Sequence, residues 1–339
     1  MKVIATMGAD VPLARVPDHA RRVEALGYDA LSVPEAQHDG TLTSLLALEH
    51  TTRLRVVTGV LVAFARSPMI TAQAAWDLQS LSNGRFELGL GTQVRGNIVR
   101  RFGMPWSAPA ARLRDYVGAV RAVFDAFQNG SPLDFHSDAY TLDRLQPFFN
   151  PGPLESGPPP ILLGAIGPIM TRTVGEVADA MQTHPTNSEP RYLETVTRPR
   201  IDEGRARAGR SAHVDLLAGP MIATGATAEA VAAERLKARE TLVFTLSTPA
   251  YWPALEHHGW LEVGHQLRDA TREGRWDEMD AMVSDEIIEA FVPTATYDDI
   301  AELILSRYGA VADGILFPVP ADPADDAAAR KAIETLIAG

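Results

Sequence analysis

Cysteine is absent from the 339 residues, so the chain has no disulfide, no thiolate nucleophile and no cysteine-ligated metal. Lysine is almost absent too. Lys2, Lys237 and Lys331 stand against a basic complement made of arginine, which leaves few candidates for a Schiff base or a phosphate-clamping ammonium. Positive charge is short overall: the net charge of −12 argues against nucleic acid or an anionic membrane as the main partner. A small anionic ligand is still admissible, because local arginines and strand-end amides can oppose the global field. No uncharged stretch reaches membrane-spanning length, and Met1 to Asp10 lacks a cationic region followed by a long apolar run. A cytoplasmic protein is therefore expected. No repeat or low-complexity tract stands out.

What is present is organised around Ser82-Asn83-Gly84-Arg85-Phe86-Glu87-Leu88-Gly89-Leu90-Gly91-Thr92-Gln93. It begins with an Asn-Gly turn, runs through a short apolar strand and opens into a glycine-lined loop. Arg53 to Val62 has the same form, with Gly59 near its exit, and Pro68 to Leu81 between them reads as a helix with proline at its start. Strand, helix, strand at this length is a βαβ unit with parallel strands. Its glycines fall at the carboxyl ends of the strands, where ligands approach α/β folds.

Strands are expected at Val3–Thr6, Asp29–Val33, Pro160–Gly164, Asp179–Thr183, Val214–Ala223 and Gly314–Phe317, each followed by helical sequence. With the central unit this makes eight alternations, which favours a (β/α)8 TIM barrel over an open sheet. The barrel is expected to fill residues 1–339 as one domain, with a surface insertion at about 131–157 and a helical insertion at about 248–292. The second is too long for a simple connection.

Four segments carry a resemblance: Gly27 to Glu35, Ala63 to Pro68, Leu81 to Gly91, and Gly164 to Pro168. In this order they resemble the luciferase-like monooxygenase superfamily, and within it the F420-dependent (deazaflavin) oxidoreductases of actinobacteria. The resemblance covers essentially the whole chain. It implies a luciferase-like (β/α)8 barrel, a flavin-like cofactor at the carboxyl face of the strands, and a homodimer.

The candidate site follows. Gly89-Leu90-Gly91-Thr92-Gln93-Val94 is not a dinucleotide fingerprint, because the third glycine position holds Val94. By resemblance, Gly91, Thr92 and Gln93 contact the cofactor and Arg95 meets an acidic tail. Gly164, Ala165, Ile166, Gly167 and Pro168 join a strand to a helix start. Successive backbone N–H groups at this turn and the helix dipole make an anion site without lysine, and the resemblance puts the cofactor phosphate there. Gly59, Val60 and Leu61 lie where deazaflavin relatives carry a non-proline cis peptide behind the ring. His38, in Pro34-Glu35-Ala36-Gln37-His38-Asp39, follows the second strand; histidine titrates near neutrality, and the resemblance makes it the catalytic candidate beside the ring. His184, with Thr183, is a second candidate at the same face. Glu35 and Asp39 are candidates to orient these histidines or to face solvent. Phe64, Trp106 and Trp252 are candidates for an apolar pocket wall. His257-His258 has no partner spacing for a metal, and none is expected.

One position departs from the resemblance: several F420 dehydrogenases carry a glutamate acid where this chain has Thr92. The expectation is an F420-dependent oxidoreductase moving hydride between C5 of the deazaflavin and a small organic substrate. The alternatives are an FMN-dependent monooxygenase supplied by a partner reductase, and a barrel that binds cofactor without turnover.

Overall fold

The computed structural model describes residues 1–339. Its main sheet has nine hydrogen-bonded segments, of which Arg55–Thr58 and Leu61–Val62 are two halves of one interrupted strand. The strands are β1 (Lys2–Thr6), β2 (Ala30–Val33), β3 (the interrupted pair), β4 (Phe86–Gly91), β5 (Ile161–Ala165), β6 (Ala180–Thr183), β7 (Asp215–Ala218) and β8 (Gly314–Pro318). All pair in parallel with their sequence neighbours, and β8 returns to β1 with Val3 opposite Ile315. The result is a closed (β/α)8 TIM barrel.

Alternation along the strands sorts the apolar residues into two sets. Ile4, Ala30, Val57, Leu162, Ala180, Leu217 and Leu316 point inward and plug the barrel, with Val60 packed on top of them. The outward set, among them Val3, Leu31, Val56 and Leu88, joins the surrounding helices in the main core. The helix Pro68–Leu81 starts at its proline, with Ser67 Oγ accepting from the Ile70 amide. Pro109–Asn129 buries the stripe Leu113, Val117, Val120 and Phe124. Asn83 and Gly84 both adopt positive φ, 53° and 89°, making the expected turn into β4.

Two elements differ from the sequence reading. Val214–Ala223 is not one strand: β7 ends at Ala218, and Pro220 cannot donate to a continuing ladder. The chain leaves the wall there, and Ala223–Gly225 pairs instead with Thr294–Thr296 in a separate parallel ribbon. That ribbon clamps the root of the helical insertion, so the insertion occupies 226–293 rather than 248–292. Its core draws Leu242, Val243 and Leu246 from the long helix Ala228–Leu246 onto Leu255, Leu267 and Phe291. The helical sequence expected after Asp179–Thr183 passes through a π-helical turn, Leu193–Thr197, before Arg198–Arg207. Pro199 has no N–H to sustain the regular spacing at that point. The 131–157 segment carries a two-residue antiparallel ladder, Phe135–His136 with Thr141–Leu142. No helix is long and apolar enough to cross a membrane.

Candidate functional site

The break in β3 builds the site. Val57 lies opposite Glu87 and Leu61 opposite Leu90, so three residues, Thr58 to Val60, face only Leu88 and Gly89. This is a bulge of one residue, and the Gly59–Val60 peptide within it is cis. The side chain of Thr58 repairs the ladder: its hydroxyl donates to the Gly89 carbonyl at 2.8 Å and accepts from the Gly89 amide at 2.9 Å. A Cβ on Gly89 would lie 1.7 Å from the Thr58 carbonyl oxygen, so only glycine fits. The bulge turns Val60 into the barrel mouth, across two more glycines. A Cβ on Gly91 would meet Val60 Cγ2 at 2.5 Å, and one on Gly164 would meet Val60 Cγ1 at 3.0 Å. The glycines at the ends of β4 and β5 therefore seat a valine.

Over this floor opens a cavity of about 360 Å³ at the carboxyl ends of the strands. Thr92, Gln93 and Val94 form one side, Gly164 to Ile166 with Met170 another, and Gln182, Thr183 and His184 a third. Ala250 and Tyr251 reach in from the helical insertion. The β5 exit points a helix start at it. Gly167 has a φ of 79°, Pro168 is the first residue of the helix Pro168–Val177, and Asn187 Nδ2 donates to the Ala165 carbonyl at 3.2 Å. The amides of Ile166, Gly167, Ile169 and Met170 have no acceptor within the protein. Four free donors at the positive end of a helix suit a phosphate or carboxylate. The bulged floor, glycine-faced on two sides, suits a flat ring. The residues present thus fit a phosphate-bearing flavin or deazaflavin.

Ten of the expected residues come together around this cavity: Gly59, Val60, Gly91, Thr92, Gln93, Gly164, Ala165, Ile166, Thr183 and His184. Gly167 and Pro168 stand at its helix end. Leu61 turns away into the core, and Arg95 is exposed at the start of the helical stretch after β4 without an ion pair. His38 is elsewhere. It lines a neighbouring pocket of about 420 Å³ with Glu35, Asp39, Arg66 and Arg101. Glu35 and Asp39 do not orient a histidine, because both bind Arg66. Glu35 also accepts from the Val62 amide at 2.6 Å, pinning the strand beyond the bulge, and Asp39 caps the helix Gly40–Glu49.

His184 is the histidine that faces the cavity. Its Nδ1 accepts from the Thr186 amide at 3.3 Å and lies 2.8 Å from the Thr186 hydroxyl, which places the ring proton on Nε2. No protein group pairs with Nε2. Burial pushes its pKa down to about 4, so the ring is neutral at pH 7. The Tyr251 ring stacks on it, with centroids 4.5 Å apart and planes 9° from parallel.

Phe64, Trp106 and Trp252 line no part of this cavity. Phe64 is fully buried with Trp106 on its edge, and Trp252 packs inside the insertion with its indole N–H on the Leu246 carbonyl. His258 bonds Glu189 at 2.7 Å and stacks on Trp260, a structural pair. Sequence reasoning missed Gln182, Met170 and Tyr251. Gln182 was within reach, since it alternates with Ala180 on the inward face of β6. Nothing local marks Tyr251, which arrives from a segment without readable periodicity.

A closed parallel barrel with a bulged third strand, a cavity at its mouth and an open helix start after β5 defines a cofactor-binding TIM barrel. The luciferase-like monooxygenase family profile matches residues 2–314, and the chain belongs to that family. An uncharacterized protein of Mycobacterium tuberculosis is 42% identical over 305 residues, spanning 90% of this chain and 89% of that one. A 5,10-methylenetetrahydromethanopterin reductase of Archaeoglobus fulgidus is 27% identical over 86% of each chain. The coenzyme F420 dependent tetrahydromethanopterin reductase from Methanopyrus kandleri shares the fold, with a TM-score of 0.78 over 99% of this chain and 96% of that one at 20% identity.

Proposed function

We propose that this chain is an F420-dependent oxidoreductase that moves hydride between C5 of the deazaflavin and a small organic substrate. One observation carries the reading: Val60, lifted by the bulge and seated on Gly91 and Gly164, makes a smooth floor next to a helix start with four unused amides. Kinship with the Archaeoglobus reductase supports reductase chemistry, and the Methanopyrus reductase that shares the fold is coenzyme F420 dependent. The cofactor supplies hydride exchange at its ring carbon. Gly59 to Leu61 and Gly91 to Gln93 would hold the ring system, Gly164 to Pro168 the phosphate, and Arg95 an acidic tail. Thr183 and His184 complete the wall opposite β4. Of the two histidines, the geometry favours His184 as the donor facing the floor. His38 would act from the adjoining pocket, where its replacement by alanine tests whether turnover needs it. The reading includes a homodimer, for which Leu42, Leu45 and Ile70 offer exposed apolar contacts on adjoining helices.

Fluorescence titration of the purified protein with oxidised F420, and separately with FMN, is the test. Saturable F420 binding with FMN much weaker supports the reading. FMN binding without F420 binding replaces it with a monooxygenase fed by a partner reductase. Binding of neither removes the phosphate assignment at Gly164 to Pro168.

A further inference from the structure

The side chains around the cavity include no aspartate, glutamate, lysine or arginine. Of the ionised groups close by, Arg95 is exposed outside the lining and is assigned to the cofactor's acidic tail, and the others are held elsewhere. Glu35, Asp39 and Arg66 close on one another in the adjoining pocket, and Arg101 donates to the Ala36 carbonyl at 2.7 Å. Thr92 carries no charge, and its hydroxyl donates to the Gln93 carbonyl at 3.1 Å. Gln93 Oε1 is taken by Asn97 at 2.9 Å. His184, neutral at pH 7, thus presents one fixed donor, Nε2–H, on a wall that Tyr251 covers.

Building on the F420 reading, we propose that the substrate held in this cavity is an uncharged, largely apolar compound with one hydrogen-bond acceptor, a ketone or imine, and that His184 Nε2–H is the donor that selects it. The physical reason is desolvation. An ionised substrate group would lose its water and find no countercharge, a cost that exceeds anything neutral hydrogen bonds return. A neutral acceptor loses little and gains a donor already oriented by Thr186 and Tyr251. The free amides at the Pro168 helix start lie at the end assigned to the cofactor phosphate, so they do not serve the substrate.

The test uses four molecules of similar shape: acetophenone, α-methylstyrene, benzoate and benzylamine. Their binding is followed by saturation-transfer NMR, with and without oxidised F420. Acetophenone is expected to bind at least tenfold more tightly than benzoate or benzylamine, and several-fold more tightly than α-methylstyrene, which lacks the acceptor. His184→Leu should erase the difference between acetophenone and α-methylstyrene, while His184→Gln, which keeps an N–H donor, should retain part of it. Benzoate or benzylamine binding as well as acetophenone overturns the proposal. So does an unchanged acetophenone preference in His184→Leu, and so does no binding of acetophenone to either form. Tyr251→Leu, which leaves the histidine in place, provides a second variant: it should weaken all neutral probes together. Failure of the F420 reading would show separately, as absent cofactor fluorescence change with the probe ranking intact.

Discussion

Gly91→Ala tests the construction of the floor. The new methyl carbon would lie 2.5 Å from Val60 Cγ2 and 3.5 Å from Val60 Cβ. The first distance forces the valine to move; the second is ordinary van der Waals contact. Overpacking of this kind costs roughly 1–3 kcal/mol. At about 2.1 cal/mol/K of unfolding entropy per residue, a chain of 339 residues loses about 1.4 °C of midpoint per kcal/mol, so the expected drop is roughly 1.5–4 °C. Val60→Ala alone removes two partly exposed methyl groups and should cost about 1 kcal/mol. In the double variant the clashing atom is gone, so the pair should be about as stable as Val60→Ala and clearly better than the sum. F420 affinity should not recover with it, because the floor has been lowered. Thermal unfolding of the four proteins at one scan rate measures the coupling. Additive losses, or a Gly91→Ala protein as stable as the parent, would refute the claim that Gly91 is glycine because Val60 lies over it.

Thr58→Val leaves the Gly89 amide and carbonyl without partners in a buried position, and the denaturant midpoint should fall by the equivalent of about 1–3 kcal/mol per group. Gly89→Ala should yield little folded protein by circular dichroism, since the clash is with backbone and nothing flexible can yield. Glu35→Ala strands Arg66 beside Asp39 alone and frees the Val62 amide, for a loss of about 3–5 kcal/mol; adding Arg66→Leu should recover part of it. Stability should also fall with acid through His184. Its pKa is about 4 folded against 6.5 unfolded, so the unfolded chain takes up the proton first. The stability present above pH 6.5 is then lost as pH falls toward 4, by roughly 3 kcal/mol at most, and His184→Gln should flatten that part of the urea midpoint against pH.

The barrel was legible because strand and helix boundaries rest on local chemistry. Pro68 opens the helix read from it, and Asn83-Gly84 makes the turn it spells. The errors fall where distant packing decides. Val214 to Ala223 is apolar enough for one strand, but Gly219 is tied by its amide to Thr183 and Ser188 on the neighbouring strand exit, and Pro220 ends the ladder. The insertion begins earlier than its composition suggests because Leu242 and Leu246 turn toward helices that follow them in sequence. The glycines of the site were visible, but the reason for Gly91 and Gly164 was not. Each makes room for a side chain from another strand, and no spacing rule within β4 or β5 encodes that contact.

The two histidines show the same limit in a sharper form. Each follows a strand at the carboxyl face, and position along the chain cannot rank them. What separates them is the use of the charges nearby. After β2, the acids beside His38 are drawn to Arg66, and one of them anchors Val62 just beyond the bulge. That pocket is committed to holding the floor in place. After β6, Pro185 and Thr186 fold back beneath His184 and fix its proton on the outer nitrogen, while Tyr251 covers its face. Charge is thus concentrated where the scaffold needs rigidity and kept out of the cavity. In such a cavity a neutral donor gives the most discrimination, because its hydrogen bond competes with no ion and little water.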